Sequence, residues 1–320
     1  MPHFLSLFDI DRQELEGLFY LADELRLSDA YRPLEGVEAA LIFQKPSLRT
    51  RVSFEVGIRQ LGGNVAHLVD EGIGLGERES VYDVANVLSR FVGLIVARVF
   101  EHSVLEELAR HASVPVVNAL SDLSHPCQVL ADVYSIRQCR KLMPGVRVAF
   151  IGDGNNVANS WLEMTTLYPI DFVLACPEGH DPDPEILARS QGACLGSISI
   201  VRDPWLAAAG ADVVYGDTWV SMGDEEKGDR KELLAPFDGY QITETLMSAA
   251  RPDALFMHCL PAHRGEEVTA GVIDGPRSII FDQAENRLHM QKALLAGLID
   301  RARMQEGAEH VTLASMHRRQ

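Results

Sequence analysis

Short apolar runs alternate with amphipathic stretches along almost the whole chain, and the alternation starts afresh after Pro144-Gly145. Ala39–Phe43, Leu94–Arg98 and Val114–Asn118 read as strands, with helices from about Thr50 and over Pro126–Arg140. Beyond the restart, Val146–Ile151 reads as a strand, Val157–Leu167 as a helix and Phe172–Cys176 as a strand. Ser197–Val201, Val213–Tyr215, Leu255–His258 and Ser278–Phe281 read as further strands. Strands alternating with helical patterns are the mark of parallel sheets covered by helices. The expectation is therefore an α/β protein of two domains, each a mostly parallel sheet flanked by helices. Residues 1–140 form the first domain and 141–282 the second. In 283–320, the helical pattern Gln283–Arg303 is long enough to return to the first domain. Met222–Glu232, rich in Gly and charge, reads as a loop, and the tail after Met304 as weakly anchored.

A chain of 320 residues buries roughly 75% of its extended surface on folding, so it needs neither disulfide nor metal to hold a core. Its 29 basic against 46 acidic side chains leave a net charge of −17. That balance opposes a nucleic-acid or membrane-surface partner, since both require a basic face. It leaves room for a small anionic substrate in a local basic pocket, because salt screens the global field within about 8–10 Å. Five cysteines, an odd number with no Cys-x-x-Cys pair, fit a reducing compartment. With no signal-peptide start and no membrane-length apolar run, the reading is a cytoplasmic protein.

The polar clusters fall just after strands, where open α/β sheets bind ligands. Lys45-Pro46-Ser47-Leu48-Arg49-Thr50-Arg51 follows a strand and opens a helix. Taken alone it is an ordinary capped helix start. Yet its hydroxyls, cations and N-terminal amides also form a cradle for phosphate. Arg98 ends an apolar strand, and His125-Pro126-Cys127-Gln128 opens the next helix. Gly152-Asp153-Gly154-Asn155-Asn156-Val157 has the context of a dinucleotide turn, but Val157 stands where the third glycine belongs. A nicotinamide dehydrogenase is thus the competing enzyme class. His258, Cys259 and His263 match no common zinc spacing, and no metal is expected. Asp217-Thr218-Trp219-Val220-Ser221-Met222-Gly223 and Ala284-Glu285-Asn286-Arg287 complete the set.

In this order, Ser47-x-Arg49-Thr50, His125-Pro126-Cys127-Gln128, Asp217-x-Trp219-x-Ser221-Met222-Gly223 and His258-Cys259-Leu260-Pro261 resemble the transcarbamoylase family, and within it the branch that uses ornithine. The resemblance implies a first domain that binds carbamoyl phosphate and a second that binds ornithine. It implies transfer of the carbamoyl group to the ornithine side-chain amine, giving citrulline and phosphate without a cofactor, in homotrimers with active sites at subunit interfaces. Residue by residue, it implies phosphate binding by Ser47, the Leu48 amide, Arg49 and Thr50. Arg98 bridges phosphate and carbamoyl oxygen, and His125 and Gln128 hold the carbamoyl end. Asn156 faces the ornithine α-carboxylate and Asp217 its α-amino group, while Ser221 and Met222 close over ornithine. Cys259 is the catalytic cysteine, the Leu260 carbonyl faces the carbamoyl amide, and Arg287 completes the site. Two positions depart from the family: Leu48 stands where a threonine is usual, and Gly74 where many relatives carry a Gln or His that reaches a neighbouring site.

The residue types suit that chemistry. Attack on carbamoyl phosphate puts negative charge on the carbonyl oxygen, which Arg98, His125 and Thr50 can stabilise. An alkylamine has a pKa near 10.4, so only about 0.1% is free base at pH 7.5. Either Cys259 beside Asp217 or the leaving phosphate can take the amine proton. Putrescine, lysine or an acylated ornithine are the competing acceptors.

Overall fold

A computed structural model describes residues 3–28, 30–45, 47–69, 74–76, 78–140, 143–220 and 229–317. The chain forms two compact units. One comprises the chain to Leu5, Gln13–Ser121 and everything from Leu288; the other comprises Ser6–Arg12 and Asp122–Arg287.

The first unit is built on a parallel sheet of order β2-β1-β3-β4, with β1 Glu38–Phe43, β2 Asn64–Val69, β3 Leu94–Arg98 and β4 Val116–Leu120. Every residue of β3 is buried, as a central strand covered on both faces requires. Ala40, Ile42, Ile95 and Ala97 pack with Val81, Val84, Leu105 and Leu108 from helices α3 (Val81–Leu88) and α4 (His102–His111). Phe4 pairs with β4, exchanging hydrogen bonds with Val116 and Asn118 at 2.8 Å each, and so covers an edge that would otherwise be bare. The register sets Phe43 beside Arg98 at the carboxyl ends of β1 and β3. The Gln44 amide donates to the Arg98 carbonyl at 2.9 Å. The turn from β1 into α2 (Leu48–Gln60) therefore starts against Arg98.

The C-terminal helix α12 runs from Ile280 to His317, and from Leu288 it belongs to the first unit. There Lys292 Nζ donates to the Leu25 carbonyl at 3.1 Å, at the end of α1 (Arg12–Leu27). A Cβ at Gly57 of α2 would stand 3.3 Å from Lys292 Cγ, so the missing side chain lets the helix approach closely. The expected return of the terminal helix holds.

The second unit carries a parallel sheet of order β7-β6-β5-β8-β9: β5 Val146–Ile151, β6 Ile170–Ala175, β7 Ser197–Val201, β8 Val213–Gly216 and β9 Leu255–His258. Phe150 stacks on Tyr215 at 5.2 Å between centroids and Trp161 on Phe172 at 6.2 Å. Helix α5 (Pro126–Arg140) groups with this unit, so the compact units part at Ser121/Asp122, whereas the sequence reading set the seam at 140/141.

Three expectations change. Ser278–Phe281 is no strand: Ser278 makes one isolated bridge to Phe256, and the chain enters α12 at Ile280. Within Met222–Glu232, residues from Arg230 open helix α9 (Arg230–Leu234), because Asp229 caps it by accepting from the Lys231 amide. The strand expected at Val114–Asn118 is β4, Val116–Leu120.

Candidate active site

In the first unit the site residues gather at the start of α2. Ser47 takes an extended backbone (φ −160°) and its Oγ accepts from the Thr50 amide at 3.3 Å, a helix cap. Thr50 is fully buried, and Arg98 Nη1 donates to its Oγ1 at 3.3 Å. Arg98, read from sequence as a charge at a strand end, is 95% buried. It lies beside the N-terminus of α2, whose amides favour an anion. Leu48, by contrast, is 76% exposed. Only its backbone takes part in the turn, so the loss of the usual threonine hydroxyl leaves the capped helix start in place. Gly74 has φ +56°, and a Cβ there would lie 2.9 Å from Arg78 Cβ. A Gln or His would be strained at this position, so the departure from the family is built into the local backbone.

In the second unit Asp217 follows β8 and Cys259 follows β9, at adjacent strand ends. Cys259 Sγ donates to Asp217 Oδ1 at 2.8 Å, the Thr218 amide donates to the same oxygen at 2.7 Å, and Asn155 Nδ2 donates to Oδ2 at 2.8 Å. Asp217 is 5% exposed; these three donors hold its carboxylate in place. Asn155 Oδ1 also accepts from the Val157 and Ala158 amides, capping helix α6 (Asn156–Met164). Those amides are the ones a dinucleotide phosphate would need. A Cβ at Gly154 would lie 2.5 Å from the His180 carbonyl oxygen, so this glycine serves chain packing. The dehydrogenase reading loses its phosphate site on both counts.

The turn after β9 is set by His258. Its Nδ1 accepts from the Leu260 amide at 2.9 Å, so the ring proton sits on Nε2, which faces Glu267 Oε1 at 3.3 Å. Leu260 occupies the left-handed region, φ +58°, a position rare for a branched side chain and a mark of functional constraint. His125 and Gln128 stand at the start of α5, both buried; the His125 amide donates to Ser160 Oγ at 2.8 Å. Arg287 is buried too; burial pushes the carboxyl of Asp132 up to about 7 and the thiol of Cys127 up to about 12, and the charge of Arg287 pulls both the other way. Ser221 and Met222 lie outside the described residues.

Asp217, His258 and Cys259 bring ligand atoms within 4.8 Å of one another, as do His263, Glu266 and Glu267. In the first group the carboxylate already receives three donors and His258 Nδ1 receives a fourth.

The match to known proteins covers nearly the whole chain. Residues 2–138 match the carbamoyl-P binding domain of aspartate/ornithine carbamoyltransferases, and residues 144–298 match their Asp/Orn binding domain. The chain belongs to the aspartate/ornithine carbamoyltransferase family. The change of domain between 138 and 144 falls at the start of the second alternation, about twenty residues after the compact units part. The chain is 52% identical over 276 residues to the ornithine carbamoyltransferase of Chlorobaculum tepidum, covering 86% of this chain and 81% of that one. It superposes on the ornithine carbamoyltransferase of Pyrococcus furiosus with a TM-score of 0.87 at 45% identity, covering 93% and 97% of the two chains. The anabolic enzyme of Campylobacter jejuni gives a TM-score of 0.89 at 38% identity, covering 94% and 100%. Sequence reading of this carbamoyltransferase missed Asn155, Asp132, Tyr215 and Gln283. For Asn155 a signal existed, since paired asparagines before a helix invite a cap; the other three look like ordinary strand and helix residues.

Proposed function

We propose that this enzyme transfers the carbamoyl group from carbamoyl phosphate to the side-chain amine of L-ornithine, giving L-citrulline and phosphate. The observation that carries the reading is the pairing of Cys259 with Asp217, a thiol and a carboxylate at adjacent strand ends. Family membership and relatives named ornithine carbamoyltransferase support it.

In this reading Ser47, the Leu48 amide, Arg49 and Thr50 hold the phosphate, and Arg98 bridges phosphate and carbamoyl oxygen. His125 donates to that oxygen, Gln128 and the Leu260 carbonyl accept from the carbamoyl NH2, and Arg287 adds positive charge. Asn156 serves the ornithine α-carboxylate, Asp217 its α-amino group, and Ser221 and Met222 close over it. The amine nitrogen attacks the carbonyl carbon and a C–N bond forms. The C–O bond to phosphate then breaks, its electron pair leaving with phosphate. The amine proton goes to the Cys259–Asp217 pair or to the departing phosphate. Donors aimed at the developing oxyanion contribute about 3–4 kcal/mol each in comparable sites, and orientation of two bound reactants contributes further.

We further propose a homotrimer in the cytoplasm, serving arginine metabolism, with no nucleic-acid or membrane partner. Leu48, Val52 and Val56, spaced by four along α2, are all exposed, an apolar stripe of the kind a partner subunit covers. All five cysteines are free thiols, in keeping with a reducing compartment. Among the described residues, no helix is long and apolar enough to cross a membrane.

The test is citrulline formation from carbamoyl phosphate and ornithine, with putrescine and lysine in parallel. Product from ornithine alone supports reaction and acceptor together. Product from another amine alone overturns the roles given to Asp217, Ser221 and Met222.

A further inference from the structure

Asp132 stands one helical turn beyond Gln128 on α5 and is fully buried. Its Oδ1 receives Gln128 Nε2 at 2.8 Å and Gln283 Nε2 at 2.7 Å, and its Oδ2 receives the Tyr215 hydroxyl at 2.8 Å. All three partners are neutral donors, and Asp132 accepts from each of them. That asymmetry decides which way each carboxamide faces. Once Gln128 gives its NH2 to Asp132, its carbonyl oxygen must point the other way, and the buried Gln128 Oε1 has no hydrogen-bond partner among the described residues. A buried acceptor left unmade is costly and calls for a donor from a ligand. Gln283 is fixed by the same rule: its Oε1 accepts from the His258 amide at 2.9 Å, one residue before Cys259. Burial pushes the Asp132 carboxyl up to about 7, while Gln128, Gln283, Tyr215 and Arg287 pull it down.

We propose that Asp132 is a positioning residue, which locks the carboxamide of Gln128 so that its carbonyl oxygen is the acceptor for an N–H of the carbamoyl group. Through Gln283 the same carboxylate anchors the backbone that leads into Cys259. The proposal rests on the reading that Gln128 serves the carbamoyl end of the substrate.

Two stable probes separate the proposal from that reading. Phosphonoacetamide keeps the amide NH2; acetonylphosphonate replaces that NH2 with a methyl group and keeps the ketone and phosphonate. Calorimetric titration of the full chain should show at least a tenfold preference for the amide. In Asp132→Leu the preference should fall to within about threefold, with the loss confined to phosphonoacetamide. In Asp132→Asn, which keeps the shape and places a donor inside the cluster, it should fall by at least threefold. The Asn variant carries the test if the Leu variant does not fold. Wild-type preference retained in the folded variants overturns the positioning role alone. No preference in the wild type overturns the placement of Gln128, and the proposal with it. Equal weakening of both probes marks Asp132 as merely structural and also overturns the proposal.

Discussion

The Cys259 thiol donates to Asp217 Oδ1 across 2.8 Å, and the opposite oxygen of that carboxylate is held by Asn155 at 2.8 Å. The pair is prepared by backbone position, since β8 and β9 are register-paired neighbours whose ends deliver both side chains. A carboxylate with its orientation fixed in this way suits an ammonium ligand. Asp217→Asn should therefore raise the KM for ornithine at least tenfold and change the KM for carbamoyl phosphate less than threefold. Initial rates with each substrate varied in turn check this. Equal shifts in both constants would contradict the assignment of Asp217 to the amino acid.

Arg98 offers a second test, because its side chain is buried and donates to Thr50 Oγ1. Arg98→Ala should lower kcat by two to three orders of magnitude, the scale of about 3–4 kcal/mol for one oxyanion donor. Arg98→Lys should recover little, since a point charge does not reproduce the fork. Circular dichroism of both variants should match the wild type. Turnover within tenfold of normal in the Ala variant removes Arg98 from the reaction.

Strands with mostly apolar runs were legible: Leu94–Arg98, Val146–Ile151 and Leu255–His258 are found as read, and so is Ser197–Val201, an edge strand whose alternating Ser and Ile mark one apolar face. Asn64–Val69 was not legible, because an edge strand carrying Asn and His lacks that signal. Ser278–Phe281 misled because its apolar run begins a buried helix, a case periodicity alone cannot separate. At the site, motif residues with unusual chemistry were visible, while those that orient them were not. Asp132, Tyr215 and Gln283 act only through contacts between α5, β8 and α12, and no local spacing encodes that meeting.

The thiols sort themselves by burial. Burial pushes Cys127 up to about 12 and Cys176 up to about 11, Arg287 and Arg202 respectively pulling the other way, while Cys139 is exposed. Only the thiolate reacts. With N-ethylmaleimide at pH 8, Cys139 should label within minutes, and Cys127 and Cys176 only after denaturation. Peptide mapping by mass spectrometry reads this directly. Labelling of Cys127 at the rate of Cys139 would show that the start of α5 opens freely.

Glu163 couples stability to pH. It is 99% buried, and its Oε2 accepts from the Leu7 amide at 2.8 Å. Burial pushes its carboxyl up to about 8, against the pull of the Leu7 amide; Asp9 pushes the same way as burial and Arg189 opposes it. The folded chain thus keeps a proton that the unfolded chain releases near the ordinary carboxylate value. Its stabilising contribution is complete below about pH 4.3 and is lost as pH rises through 8. Within that window the slope is about 1.4 kcal/mol per pH unit from this one group. Asp132, raised to about 7 by burial, adds to the same trend up to neutrality. Wild-type stability should therefore fall between pH 5.5 and 8, by about 3 kcal/mol through Glu163 alone. Glu163→Gln cannot ionise and should show a shallower fall, being no more stable than wild type at pH 5.5 and more stable at pH 8.5. Urea unfolding of both proteins at the two pH values decides it. Parallel curves would mean that Glu163 titrates alike in the folded and unfolded chains.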